Sequence, residues 1–110
     1  MAFDEELAAR LRGILSQQPE LEERRMFGGL AFLVSGHMCC GVVKQDVMLR
    51  LGEEGTQELL ASAEAAVRPM DFTGRALKNM VYVDPAAASD TELSEWISRA
   101  VQFAQSLPPK

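Results

Sequence analysis

The one histidine of the chain, His37, stands two residues before the adjacent pair Cys39-Cys40, and imidazole and thiolate at that spacing are ligands for a soft metal ion. On a strand His37 and Cys39 share a face, so both could reach one ion. A tetrahedral site needs four ligands, and no second CxxC or HxxxH element completes the set. The segment therefore reads first as a plain hairpin beside Gly36. A single histidine also leaves one place for the base of a catalytic triad, and no serine lies in a nucleophile-elbow pattern. The carboxylate pairs Glu5-Glu6 and Glu53-Glu54 fall near expected helix starts, where the dipole favours negative charge. No enzyme active site, metal or cofactor is expected.

Gly28-Gly29 lacks the GxxxxGK[ST] spacing of a phosphate loop and joins two strands, whereas a phosphate loop leads into a helix. A bulge or tight bend at a strand start explains the pair. The six methionines could mark an adaptable binding surface, but Met38, Met48 and Met80 fit core positions. Cys39 and Cys40, as strand neighbours, are expected on opposite faces, which disfavours a disulfide and points to buried, reduced thiols in a reducing compartment. Arg68, Arg75 and Lys78 come nearest to a basic patch. Solvated charge that keeps the surface soluble is the favoured explanation for them.

These residues must be held by elements legible in the pattern. Asp4 caps a first helix with Phe3 before it, and Leu7, Leu11, Ile14 and Leu15 form its stripe before Gln17-Gln18-Pro19 ends it. Glu22 to Met26 suits an edge strand, Phe27-Gly28-Gly29 interrupts, and Leu30 to Val34 is a strongly apolar strand. Ser35-Gly36 turns the chain into Met38 to Val43, and Lys44-Gln45-Asp46 turns it again into Val47 to Leu51. Gly52 to Gly55 is read as a break, Thr56 to Ala66 as a second helix, and Pro69 stops helix in Arg68 to Phe72. Thr73-Gly74-Arg75 is read as a loop and Asn79 to Val83 as the last strand, closed by Asp84-Pro85. Ser89 with Glu92 makes a capping box for a final helix carrying Leu93, Trp96, Ile97, Ala100, Val101, Ala104 and Leu107, stopped at Pro108-Pro109. The expected fold class is α+β. An antiparallel sheet, a meander plus a later strand, packs against helices in the order α, three or four strands, α, one or two strands, α, within a single domain spanning 1–110.

Composition agrees with a globular chain: 110 residues, 47% hydrophobic and 25% charged. No apolar run approaches the ~20 residues that span a bilayer, and the acidic start Asp4-Glu5-Glu6 is unlike a signal peptide. The expectation is a cytoplasmic protein with no membrane contact. Sixteen Asp and Glu against eleven Lys and Arg leave a net charge of -5 and a pI near 4.8, which disfavours nucleic acid as a partner because phosphate neutralisation needs a concentrated cationic face.

The ordered set Arg25-Met26-Phe27-Gly28-Gly29-Leu30-Ala31-Phe32, Gly36, Gly41-Val42-Val43, Leu49-Arg50-Leu51, Gly74-Arg75 and Met80-x-Tyr82-Val83 resembles the N-terminal domain of the TfoX competence-regulator family. The closing Leu93, Trp96-Ile97, Ala100, Phe103-Ala104 and Leu107-Pro108 extend the resemblance over nearly the whole chain. It implies a bacterial α+β protein with a sheet packed on helices, similar to the secretion-chaperone-like folds. In that family the domain often precedes a separate C-terminal domain. None follows within these residues, so a stand-alone member is expected.

The resemblance carries over no catalytic residue. Most of its matching positions, Met26, Phe27, Gly28, Gly29, Gly74 and Tyr82, have structural explanations, the glycines in a bend and Phe27 and Tyr82 in packing. Arg75 has none, and a guanidinium fork beside Thr73-Gly74 suits a carboxylate or phosphate. Arg75, Gly74, Arg68, Lys78, Met26, Phe27, Gly28 and Gly29 are the candidate interaction residues. The leading expectation is a non-enzymatic regulatory or adaptor module that binds a protein partner or forms a homodimer. A regulator contacting nucleic acid and a small-ligand binder stand as alternatives.

Overall fold

The computed structural model describes residues 3–108 except 19, 27, 64, 73 and 74, with 70–72 and 75–77 described by backbone alone. In chain order the elements are α1 (Glu5–Leu15), β1 (Leu21–Met26), β2 (Gly29–Val34), β3 (His37–Val43), β4 (Asp46–Arg50), α2 (Gly52–Ser62), β5 (Val67–Phe72), β6 (Arg75–Val83), a 3-10 turn (Pro85–Ala87) and α3 (Asp90–Ser106). All six strands join one antiparallel sheet in the order β1-β2-β3-β4-β6-β5, as the α+β reading expected.

Local signals explain most boundaries. The Asp4 carboxylate accepts the N–H groups of Glu6 (2.9 Å) and Leu7 (3.1 Å) and so starts α1. Ser89 Oγ accepts the Glu92 N–H at 3.0 Å while the Glu92 carboxylate accepts the Ser89 N–H at 3.0 Å, which completes the expected capping box.

The structure differs from the sequence expectation in α2, β5 and β6. Helix α2 begins at Gly52, not Thr56, and ends at Ser62, not Ala66. Gly52 takes φ +78°, a left-handed entry that turns the chain directly from β4 into the helix, and an added Cβ there would stand 2.6 Å from the Phe103 ring. Gly55 inside the first turns costs about 1 kcal/mol of helix propensity, too little to break a packed helix. At the other end, the N–H groups of Ala66 and Val67 both donate to Ala63 O, a tight turn that sends the chain into the sheet. Residues 67–72, read only as a stop, form strand β5. It lies at the sheet's edge, where Pro69 needs no ladder partner. Strand β6 starts at Arg75, four residues before Asn79, so Arg75 belongs to a strand and not to the expected loop.

The three helices bury their apolar stripes on one sheet face. Leu7, Leu11 and Leu15 of α1, Leu59 of α2, and Leu93, Trp96, Ile97 and Val101 of α3 share a core with Leu30, Phe32, Val34, Val42, Val47, Leu49, Val81 and Val83 of the strands. On the other face Ala31, Leu33, Met38, Met48 and Met80 form a second cluster, with Met26, Val43 and Tyr82 packed against it. Every residue of this second cluster comes from a strand. Met38, Met48 and Met80 are buried, as their core reading expected. Among the described residues no helix is long and apolar enough to cross a membrane.

Helix α1 is tied to β1 by a bidentate pair, Arg12 Nε to Glu23 Oε2 at 2.6 Å and a second guanidinium nitrogen to Oε1 at 2.8 Å. The hydrogen bonds from Arg12 hold the Glu23 carboxyl below its ordinary value, against a smaller opposing effect of burial. Because the folded value is the depressed one, the pair stabilises above the ordinary carboxylate range near pH 4.3 and loses its effect as pH falls through the native value. Both side chains are more than a third exposed, so the contribution is about 0.5 kcal/mol. Arg12→Ala is expected to lower stability by that amount at pH 7 and to leave it unchanged at pH 2. Denaturant titration at both pH values checks this, and an equal loss at the two would contradict it.

Candidate functional site

Strands β5 and β6 form a hairpin that outruns its neighbour. Strand β4 pairs with β6 from Val47↔Val83 to Arg50↔Met80, and the Leu51 N–H donates to Asn79 O at 3.0 Å. Beyond that point the described pairings of β6 are with β5 alone, through Asp71↔Ala76 and Phe72↔Arg75. The register shifts between Pro69 and Asp71, so the far end of the ribbon is offset from the part that continues the sheet. Strand ends and turns that run past their neighbours are positions from which folds commonly make contacts.

The candidate cations all lie on this hairpin, at different places. Arg68 pairs across the ribbon with Tyr82, with its guanidinium 4.8 Å from the ring centroid. The same guanidinium bonds the Asp46 carboxylate at 2.7 Å, which raises its pKa and ties β5 to the start of β4. Arg68 is thus held by two partners of its own chain. Lys78 is exposed. Arg75 is the first residue of β6 and pairs through its backbone with Phe72 across the turn. Arg68 and Phe72 are four strand steps apart, a distance of about 13 Å, so the three cations are strung along a ribbon and do not form one patch. Gly74, like Phe27, lies outside the described residues.

Met26 and the glycine pair lie at the opposite sheet edge. Gly28 has φ +75° and makes the turn between β1 and β2, while Gly29, the first residue of β2, is buried against the Val42 backbone. Met26 is half-buried against the strand-only cluster. The reading of the pair as a bend at a strand start holds. In the sheet order β1 and β5 are the two ends, so the candidates on β1–β2 and those on the hairpin are not brought together.

The two cysteines correct an expectation. Phe32 pairs with Cys40 while Leu33 pairs with Met38, so Cys39 is the extra residue of a bulge. The bulge breaks the alternation and puts both thiols in the helix-covered core, with their sulfurs 3.8 Å apart. Contact with Cys39 and complete burial hold the Cys40 thiol well above its ordinary range. Cys39 Sγ also donates to Phe32 O at 3.4 Å. Both cysteines are free thiols.

His37 is used by the fold. Its Nε2 donates to Pro108 O at 2.5 Å and pins the end of the chain beyond α3 to the start of β3. Among the described residues no three His, Cys, Asp or Glu side chains converge as metal ligands. A groove of about 450 Å³ lies between the start of α1 and the Asp84-Pro85 turn, lined by Asp4, Glu6, Arg10 and Gln45 among others. Arg10 there is already paired with Asp90 of α3. None of the candidate interaction residues lines it.

Two features escaped the sequence reading. The length of the hairpin was hidden because residues 75–78 alternate weakly and follow a glycine, and the bulge at Cys39 has no glycine to announce it. The edge position of β1 was visible from its charge, and four of its six residues are exposed.

A family model described as the TfoX N-terminal domain matches residues 13–104. Among solved structures, the crystal structure of the Deinococcus radiodurans protein DR2400, with the family-model domain DUF419, is similar at 17% sequence identity, covering 89% of this chain and 78% of that one with a TM-score of 0.74. At that identity the likeness is one of fold. No curated protein matches the chain.

Proposed function

This chain belongs to the TfoX N-terminal domain family, and from that premise we propose that it is a non-enzymatic regulatory or adaptor module that works by binding another protein. The observation that supports this most is the β5–β6 hairpin, which runs past β4 and carries Arg75 at its turn and the exposed Lys78 along its length. Main-chain groups on such a ribbon offer hydrogen bonds, and a guanidinium and an ammonium suit the carboxylates of a protein surface. The net charge of -5 opposes the long-range attraction that nucleic-acid binding depends on.

The test is capture from native cell extract with the wild-type chain, Arg75→Ala and Lys78→Ala side by side, half of each sample treated with nuclease. A stoichiometric protein that survives nuclease and is recovered several-fold less by the two variants is the expected result. Recovery that disappears with nuclease transfers the function to nucleic acid. Recovery that both variants leave unchanged removes the hairpin from the contact.

A further inference from the structure

We infer that the outer edge of β1 is a self-association surface, on which a second copy of this chain pairs antiparallel about a two-fold axis through Glu23. The inference rests on the protein-binding reading above, names one partner for it, and uses the sheet edge remote from the hairpin.

The backbone determines which groups are available. Ser35 N–H donates to Glu20 O at 3.3 Å, one step before the Leu21↔Val34 pair. In an antiparallel ladder the hydrogen-bonded positions alternate, so Glu20, Glu22, Arg24 and Met26 turn their N–H and C=O groups toward β2. Leu21, Glu23 and Arg25 turn theirs outward, where no strand follows among the described residues. An added strand must bond to these three residues.

Symmetry then narrows the register. A two-fold axis perpendicular to the sheet keeps each face on its own side, so residues that meet across the seam must share a face and have an even sum of numbers. The register centred on Glu23 exchanges bonds at Leu21 with Arg25, Glu23 with Glu23 and Arg25 with Leu21, and so satisfies every outward group of both copies. Registers centred on Glu22 or on Arg24 pair only two of these three residues within β1.

Charge agrees with the same register. On the face away from the helices it sets Glu22 of each copy opposite Arg24 of the other, at the closer, non-hydrogen-bonded spacing. Within one copy these two side chains make only an exposed contact at 3.3 Å and are free to exchange partners. On the helix face the two Glu23 carboxylates meet, but each is already held by its own Arg12, and Arg25 of the other copy is the diagonal neighbour. Charges on an edge strand ordinarily deter pairing. Here Glu-Glu-Arg-Arg deters strands that lack the matching order and accepts a copy of itself.

The experiment is sedimentation of the full chain as wild type, Glu22→Arg, Arg24→Glu, the double exchange and Glu23→Pro, with circular dichroism to confirm that each is folded. Wild type is expected to dimerise at or below the order of 100 μM, a range that reports even weak association. Each single reversal sets two like-charge contacts on the seam and is expected to raise the dissociation constant on the order of 30-fold or more. The double exchange restores opposite pairs and the dimer, and an equal mixture of the two single variants forms a heterodimer. Glu23→Pro spares β1's bonds to β2, because that N–H points outward, yet removes the central pair and is expected to give a monomer. A wild-type monomer over this range overturns the inference, as does a dimer that the single reversals and the proline leave intact, or a double exchange that fails to recover. Because the hairpin is untouched by these substitutions, such a failure leaves capture by the hairpin standing.

Discussion

Phe32→Ala will cost about 3–5 kcal/mol of folding stability, more than half of what a domain has at the lower end of the usual range of about 5–15 kcal/mol. Phe32 has no exposed surface and sits on β2 in the middle of the helix-covered core, opposite Cys40 at the bulge. Deleting its ring removes the transfer free energy of the largest fully buried side chain in that core and leaves a cavity. The sheet below and the helices above, anchored through capping and ion pairs, can collapse into that space only in part. Phe32→Leu keeps most of the volume and is expected to cost no more than about 1.5 kcal/mol. Urea unfolding followed by circular dichroism reads both, and the midpoint should fall with an unchanged slope. A loss below about 1 kcal/mol for the alanine variant would mean that the core closes over the gap and that Phe32 is not its centre.

Gly29→Ala is the second large effect, about 2–3 kcal/mol, and it separates the two glycines that a phosphate-loop reading would treat alike. A Cβ on Gly29 lands on the carbonyl oxygen of Val42, with Val42 C and Val43 Cα each at 3.0 Å. All three are backbone atoms, so relief requires β2 and β3 to part where Leu30 pairs with Val42. Gly28 differs in kind. A Cβ there meets nothing within 4 Å, but φ is +75°, so Gly28→Ala carries only the left-handed penalty of about 1–2 kcal/mol. Gly28→Asn should recover part of that, because asparagine tolerates the conformation, while Gly29→Asn should recover nothing. Thermal unfolding of the four variants gives the order. If Gly28→Ala proves the more damaging, the close approach of β2 to β3 is not what demands Gly29.

Much of this molecule could be read before folding because the informative residues act locally. Asp4 and Ser89 accept N–H groups two or three residues away, and the stripe from Leu93 to Ala104 needs only the helical repeat to be recognised. The meander from β1 to β4 follows from turn residues between apolar runs, and Ser35 and Lys44 take positive φ at those turns. Family membership was legible for the same reason, as an ordered set of short motifs along 13–104. The candidate site was less legible. Arg68 looked like a free cation because its anchors, Asp46 and Tyr82, are distant in sequence, and Arg75 looked like a loop residue because it directly follows Gly74, while its pairing with Phe72 appears only in the fold.

By itself, the order of residues determined the first and last helices, the four-strand meander and their apolar runs, and that the chain has acidic character with one histidine and two adjacent thiols. Only the tertiary structure decided that β5 takes the outer edge beyond β6, that Cys39 and Cys40 face the same core, that His37 binds Pro108, and that β1 presents Leu21, Glu23 and Arg25 outward. Propensity and periodicity are properties of neighbours in the chain. Register, bulges and free edges arise from pairing between segments that the sequence sets far apart, and their energies exist only once those segments meet.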